Sequence, residues 1–464
     1  MRYVSTRGEA PELPFDEVLL TGLARDGGLY VPAAFPPLDP VSLRGLSYPD
    51  LAVRVMTPFL GEAIAPKDFA RLVEEAYAGF DDPDVAPLRP LDGKLWLMEL
   101  FHGPTLAFKD YALQVLGRLF DHVLQARKSR ITVLGATSGD TGSAAIEACR
   151  DRDAIDVFIL HPKGRISEVQ RRQMTTVASA NVHNLAIDGT FDDCQDLVKG
   201  MFNDAGFRDA LRLSSVNSIN WARILAQTVY YFAAALKLDA GQPLAFAVPT
   251  GNFGNVYAGY VAKRMGLPVR KLVIGTNRND ILFRFFTEGA MTVRNVEPSL
   301  SPAMDIQISS NFERFLFDLY ERDGEKLCAA MEAFRRSGRL DVEKKLLDQA
   351  LETFSAHRFD DVATLATIAA VHRENGLLID PHTAIAVAAA RAVRDGDDAP
   401  VVALASAHPA KFPDAVERAT GTRPALPKRL ADLFEREERM VTLPNDLAEV
   451  KAHVRAHARL QGAA

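Results

Sequence analysis

Residues 131–150 read ITVLGATSGDTGSAAIEACR, and the order of residue types in this stretch decides the fold. The apolar run 131–136 is short and lacks a helical period, as expected of a buried strand. TSGDTG then supplies a turn, and SAAIEACR continues as a helix of small residues. A glycine-rich loop that opens a helix can turn its backbone N–H groups toward an anion. The same strand–loop–helix unit recurs on both sides. IDVFILHP (155–162) precedes SEVQRRQMTTV, and NVHNLAI (181–187) precedes FDDCQDLVKGMF. PLAFAVPT (243–250) leads into GNFGNVYAGYVAKRMG, and KLVIGT (271–276) follows. This rhythm predicts an α/β architecture with mainly parallel sheets. The blocks separate near residues 210–240, so two α/β domains with a cleft between them are expected. Sheet order is not readable from the sequence.

The chain has 464 residues, enough for two or three domains. Residues 12–80 carry helical periodicity, with a helix starting near Asp16 and another opening at Pro66. The acidic, proline-containing stretch 81–90 marks a boundary, and LWLMELFHGP reads as a strand entering a turn. The expected domains are 1–95, mainly helical; 96–240, a first α/β block; and 241–464, a larger block ending in a helical tail on the surface. The formal charge of −6 offers no polyanion-binding surface, so no nucleic-acid partner is expected. Three dispersed cysteines without a Cys-x-x-Cys pair speak against a disulfide framework or a structural zinc site. The N-terminal MRYVSTRGEAPELPFDEV has no apolar signal core, and no apolar run reaches the roughly 18–20 residues that span a bilayer. A cytoplasmic protein without membrane contact is expected.

The densest chemical signal is FHGPTLAFKDY, residues 101–111. Lys109 follows mostly apolar or small residues, and a desolvated lysine has a lowered pKa that frees its amine for a Schiff base. An isolated lysine at a helix start is more often a surface residue, so Lys109 is not singled out by composition. The loops 137–141 and 250–255 fit neither GxxxxGK[ST] nor GxGxxG, and each alone is equally well a strand-to-helix turn. In LASAHPAKF, Ser406 can hydrogen bond a neutral ring nitrogen, whereas His408 and Lys411 also read as ordinary strand-end residues. His102, His161, His382 and His408 show no metal-ligand spacing, and no metal site is assigned. No GxSxG elbow is present.

Taken together, HGPTLAFKDYALQ, ATSGDTGSAA, SSVNSINWARILAQ, VPTGNFGN and LASAHPAKF resemble the threonine synthases. The resemblance runs through the whole chain, including MRYVSTRG and GLARDGGLYVP, and is closest to the long form with an extra N-terminal domain. It implies the fold type II (tryptophan synthase β-like) architecture of pyridoxal-phosphate enzymes, with the cofactor held covalently by Lys109. Gly251, Asn252, Phe253, Gly254 and Asn255 are implied to receive the cofactor phosphate, and Ser406 to face the pyridine nitrogen. Serine stands where the family often has threonine and keeps the hydroxyl. Thr137, Ser138, Gly139, Asp140 and Thr141 match the loop that holds the substrate carboxylate. Like charges make Asp140 a poor direct ligand there and suit it to organising the loop. Lys163, Ser215, Asn217, Ser218, Asn220 and Arg223 are implied for the substrate phosphate, with a polar helix cap before Trp221 as the alternative for the second cluster.

The implied activity is that of a carbon–oxygen lyase acting on phosphate, converting O-phospho-L-homoserine and water to L-threonine and phosphate. This is the last step of threonine biosynthesis. The nearest alternative is a phospho-lyase of the same family that releases 2-oxobutyrate, ammonia and phosphate. A serine/threonine dehydratase needs no subsite for a substrate phosphate. Whether the chain works as a monomer or homodimer is not legible.

Overall fold

The computed structural model describes residues 1–239, 242–394 and 399–459. The apolar runs form two sheets. The smaller has five parallel strands in the order Val441–Pro444, Val182–Asp188, Ile155–Pro162, Ile131–Ala136, Leu213–Ser214. The larger has six, in the order Phe354–Arg358, Val269–Thr276, Leu244–Pro249, Val401–Ala405, Leu95–Glu99, Leu88–Asp92. All its pairings are parallel except the last, where Leu88–Asp92 runs back along Leu95–Glu99 as a hairpin. The central strands Ile155–Pro162 and Val401–Ala405 are buried along their whole length, as a sheet covered on both faces requires.

These orders place the crevices. In the smaller sheet the chain passes from Ile131–Ala136 outward to Ile155–Pro162, but later returns to the other side as Leu213–Ser214. In the larger sheet it moves from Leu244–Pro249 toward Val269–Thr276, and Val401–Ala405 returns on the opposite side. Loops leaving two such strands diverge at their carboxyl ends and open a ligand crevice. Loops 137–141 and 215–220 flank the first crevice, and loops 250–255 and 406–411 flank the second.

The sheets do not follow the expected contiguous blocks. A boundary at residue 95 cuts the strand Leu95–Glu99, which pairs in register with Val401–Ala405. The C-terminal tract is also more than a surface tail: Val441–Pro444 adds an edge strand to the smaller sheet, and Val450 and Val454 of helix Leu447–His457 join its core. Parallel pairing joins strands distant in sequence, so sheet membership and chain order part company. The first helix begins at Phe15 after Pro14, one residue before the expected Asp16, while the Pro66 start holds.

The N-terminal region contributes helices Tyr48–Leu60 and Pro66–Tyr77 and a small antiparallel pair, Tyr3–Ser5 with Tyr30–Pro32. Its apolar face packs on helices Lys109–Ala126 and Trp221–Leu238 in one continuous core. Helix Lys109–Ala126 is buried on most of its faces, including Lys109 itself. It lies against helix Asp140–Cys149 so closely that a Cβ on Gly117 would sit 2.2 Å from the Ala148 carbonyl oxygen. That contact sets how closely the two helices approach. Gly117→Ala is therefore expected to cost about 1–3 kcal/mol of stability by overpacking, read as a lowered midpoint in urea unfolding.

Candidate active site

Lys109 opens its helix directly behind the end of the Val401–Ala405 strand. The Phe108 N–H donates to the Ser406 carbonyl (2.9 Å), the His408 N–H donates to the Leu106 carbonyl (3.0 Å), and Ala107 bridges Ala407. Asp110 anchors the approach by accepting from the Thr105 N–H (2.8 Å) and hydroxyl (2.7 Å). Burial raises the Asp110 carboxyl to about 6. The lysine is thus held by backbone on one side and apolar packing on the other, with its ammonium 4.7 Å from the centre of the Phe108 ring.

The Lys109 amine meets Asp140 across the cleft between the sheets, Nζ to Oδ2 at 3.2 Å. The other Asp140 oxygen accepts from Gln170 Nε2 (2.8 Å) and lies 2.8 Å from Lys411 Nζ. Burial alone would raise the Asp140 carboxyl, but the Lys109 and Lys411 cations outweigh it and hold it well below the usual carboxylate range. Burial lowers the Lys109 pKa, the Lys411 and Arg223 cations add to that shift, and Asp140 opposes it. The loop around Asp140 is closed by Thr137, whose hydroxyl accepts the N–H groups of Gly139 and Gly142, both at 2.9 Å. Ser138 and Thr141 are partly exposed beside it.

The second crevice fits a phosphate. Phe253 takes a left-handed backbone (φ 62°) to open helix Gly254–Arg264, while its ring packs into a cluster with Phe312 and Phe354. Its side chain therefore belongs to the core, and only its backbone is free to serve a ligand. A Cβ on Gly251 would come within 2.9 Å of the Ala303 carbonyl, so the loop backbone lies bare against its support. Asn255 accepts from the Tyr230 hydroxyl (2.5 Å) and the Tyr231 hydroxyl (3.0 Å). This leaves its Nδ2 buried without a partner among the described residues. An unpaired buried amide donor is costly unless an acceptor arrives. Gly251, Gly254 and Asn255, with the helix N-terminus behind them, would hold the phosphate of pyridoxal phosphate.

The residues after Leu213–Ser214 divide into two roles. Arg223 is buried, its Nη1 donates to the Val216 carbonyl (3.1 Å), and its Nε has no partner among the described residues. Burial lowers its pKa to about 10. Ser218 approaches Gly254, and the Ser215 hydroxyl accepts the Asn217 N–H (3.2 Å). Asn220 is different. Its Oδ1 caps helix Trp221–Leu238 through the Ala222 N–H (3.1 Å) and its Nδ2 donates to the Leu19 carbonyl (2.9 Å). The helix-cap alternative holds for Asn220, whose amide is spent on the fold. Lys163 follows strand Ile155–Pro162 at the same carboxyl edge as loop 137–141, but it is exposed and pairs with Asp188 (3.3 Å).

Sequence reasoning passed over several contributors. Lys411 is a fully buried member of the Lys109 cluster, not an ordinary strand-end residue. Gln170, Ser309, Asn311 and Arg314 sit in no motif. Ser309 and Asn311 back the second loop by donating to the carbonyls of Gly251 (2.7 Å) and Asn252 (3.1 Å). The only local signal for Lys411 was its place in AHPAKF.

Comparison with known proteins identifies the family. Family models described as "Threonine synthase N terminus", "Pyridoxal-phosphate dependent enzyme" and "Threonine synthase, C-terminal" match residues 2–77, 84–407 and 383–454. The threonine synthase of Pseudomonas aeruginosa is 57% identical, with 98% of each chain covered. A crystal structure of pyridoxal-phosphate-bound threonine synthase from Brucella melitensis superposes with a TM-score of 0.96 at 54% identity, covering 99% of this chain and 100% of the other. The yeast threonine synthase structure gives 0.93 at 40% identity, covering 98% of both chains. A match of this extent, on a site built this way, means that the chain belongs to the threonine synthase family of pyridoxal-phosphate-dependent enzymes.

Proposed function

We propose that the protein converts O-phospho-L-homoserine and water to L-threonine and inorganic phosphate, with Lys109 as cofactor anchor and proton carrier. The observation that carries this reading is the buried Lys109 amine set between two crevices that each offer unpaired donors. Asn255 Nδ2 lies in one and Arg223 Nε in the other. Two anion sites suit a reaction in which cofactor and substrate each bring a phosphate. Ser406, at the end of the Val401–Ala405 strand, offers a hydroxyl and not a carboxylate to the cofactor ring nitrogen. That favours elimination and proton transfer over transamination.

Bound there, pyridoxal phosphate supplies an electron sink that makes the substrate Cα proton, and then a Cβ proton, removable. The Lys109 amine takes the Cα proton and shuttles protons at Cβ and Cγ. Phosphate leaves from Cγ, and Arg223, Ser215, Asn217 and Ser218 hold it, with Lys163 at the rim. A guanidinium and hydroxyls suit a phosphate because each charge-assisted bond contributes about 1.5–3 kcal/mol. A proton returned to Cγ, hydroxide added from water at Cβ and a proton returned to Cα complete threonine. The remaining water proton stays with the phosphate. Ser138 and Thr141 hold the substrate carboxylate, with Asp140 shaping their loop. Closing the cleft keeps bulk water from the unsaturated intermediate until Cγ is protonated. A cytoplasmic location fits the three free cysteines and the absence, among the described residues, of a helix long and apolar enough to cross a membrane.

The direct test incubates cofactor-loaded protein with O-phospho-L-homoserine and quantifies threonine, phosphate and 2-oxobutyrate together. Threonine equimolar with phosphate is expected, whereas predominant 2-oxobutyrate would move the assignment to the phospho-lyase. Lys109→Ala is expected to lose covalent cofactor capture and at least ~10²-fold in turnover. Asn255→Ala, which removes one charge-assisted donor, is expected to weaken pyridoxal phosphate binding ~10–100-fold by fluorescence titration, with turnover at saturating cofactor far less affected.

A further inference from the structure

Lys411 is a second lysine inside the Lys109 cluster, fully buried and distant in sequence, and the reaction as described gives it no task. Its Nζ lies 2.8 Å from Asp140 Oδ1 and donates to the Thr105 carbonyl at 2.7 Å. Lys109 has one such acceptor, Asp140 Oδ2, at the longer distance of 3.2 Å. The Lys109, Lys411 and Arg223 cations outnumber the Asp140 and Asp110 carboxyl groups, which leaves a net positive charge out of water, and a buried uncompensated charge is relieved by losing a proton. The proton that leaves is the one held by fewer and longer bonds. Lys411 has two close acceptors, one fully charged, while the Lys109 ammonium has one carboxylate contact and an aromatic face.

We infer that Lys411 is a positioning residue that takes Asp140 as its own counter-ion, so that Asp140 orients the Lys109 amine without keeping it protonated. The inference deepens the proposed function and rests on Lys109 being the cofactor lysine. Lys411 touches neither reacting atom; it acts through Asp140. The lowered pKa of Lys109, caused by burial first and by the Lys411 and Arg223 cations after it, agrees with the geometry. The other charged and titratable groups around the pair act in known directions. Asp110, raised by burial, accepts from Thr105 and is also lowered by the Lys411 cation, so it is a second counter-charge on the Lys411 side. His408, pushed down to about 4 by burial first and by His102 second, stays neutral near pH 7 and adds no charge. Arg223 pushes in the same direction as Lys411.

The test follows uptake of pyridoxal phosphate by the cofactor-free full-length chain, by absorbance, across about pH 6–10, a range set by the ordinary titration of lysine. Only a neutral Lys109 Nζ can add to the cofactor aldehyde carbon with loss of water, so the uptake rate traces the neutral fraction. In Lys411→Met, Asp140 is left to Lys109 alone, and the midpoint should move up by about one pH unit, making uptake near neutrality roughly tenfold slower. Lys411→Arg should keep the wild-type midpoint, and Asp140→Asn should move it down. A purely structural role would lower rates without displacing midpoints in opposite directions. A Lys411→Met midpoint that stays put or falls overturns the inference. If that variant does not melt cooperatively, Lys411→Gln, which removes the cation but keeps a donor for the Thr105 carbonyl, decides: a raised midpoint supports the inference, and an unchanged or lower one overturns it. Uptake that persists in Lys109→Ala would instead overturn the cofactor-lysine assignment, a separate failure.

Discussion

Asp140 is a carboxylate buried between two sheets, at the start of a helix. Moving a carboxylate into such a site costs several kcal/mol, and it persists only if its oxygens are well matched. Here they are matched by Lys109 from the helix behind the larger sheet, Lys411 from the turn after Val401–Ala405, and Gln170 from the smaller-sheet side. Each bond therefore crosses or lines the cleft. Either lysine alone still pairs the carboxylate; losing both would leave it buried and unpaired, at about 3–5 kcal/mol. The two sheets are consequently held at the separation that brings Lys109 to the loop at 137–141. Much of the site's geometry follows from satisfying this one group.

The cluster lies in the cleft because of sheet order. Both sheets reverse their direction of growth, and in each the loops on either side of the reversal carry the candidate residues. The elements themselves were legible. Ile131–Ala136, Ile155–Pro162, Leu244–Pro249 and the helices that follow read directly from apolar runs and glycine-rich loops. Their order was not, because parallel strands join through long crossovers and no local pattern records which strand lies beside which. Leu213–Ser214 is two residues long, and Val441–Pro444 is mostly exposed; neither carries an apolar run. The hairpin Leu88–Asp92 with Leu95–Glu99 fell across an expected boundary because an acidic, proline-containing approach looks the same before a strand as between domains.

The site shows the same division. Lys109, Gly251 and Asn255 stand in compact motifs, and the motifs taken together, not any residue type alone, mark them out. Lys411, Gln170 and Asn311 act through contacts with residues far along the chain, and a lone lysine or asparagine carries no trace of its partner. Asn220 is the converse case. Its type suits a phosphate donor and a helix cap equally, and only the helix start at Trp221 and the Leu19 carbonyl beside it decide for the cap.

Arg314 ties the N-terminal region to the loops on both sides of the cleft. Its guanidinium is buried and reaches the Tyr30 carbonyl (3.1 Å), the Ile219 carbonyl (2.6 Å) and the Asn311 side-chain oxygen. Ile219 lies in the loop assigned to the substrate phosphate, Asn311 supports the loop assigned to the cofactor phosphate, and Tyr30 belongs to the N-terminal strand pair. A planar fork with five donors can serve three such directions at once; an ammonium on a flexible stem cannot hold them in one plane. The neighbouring Arg7–Glu313 pair, buried at 3.0 Å, pins the same helix to the N-terminal strands. One side chain thereby ties the two loops to each other and to the N-terminal strands.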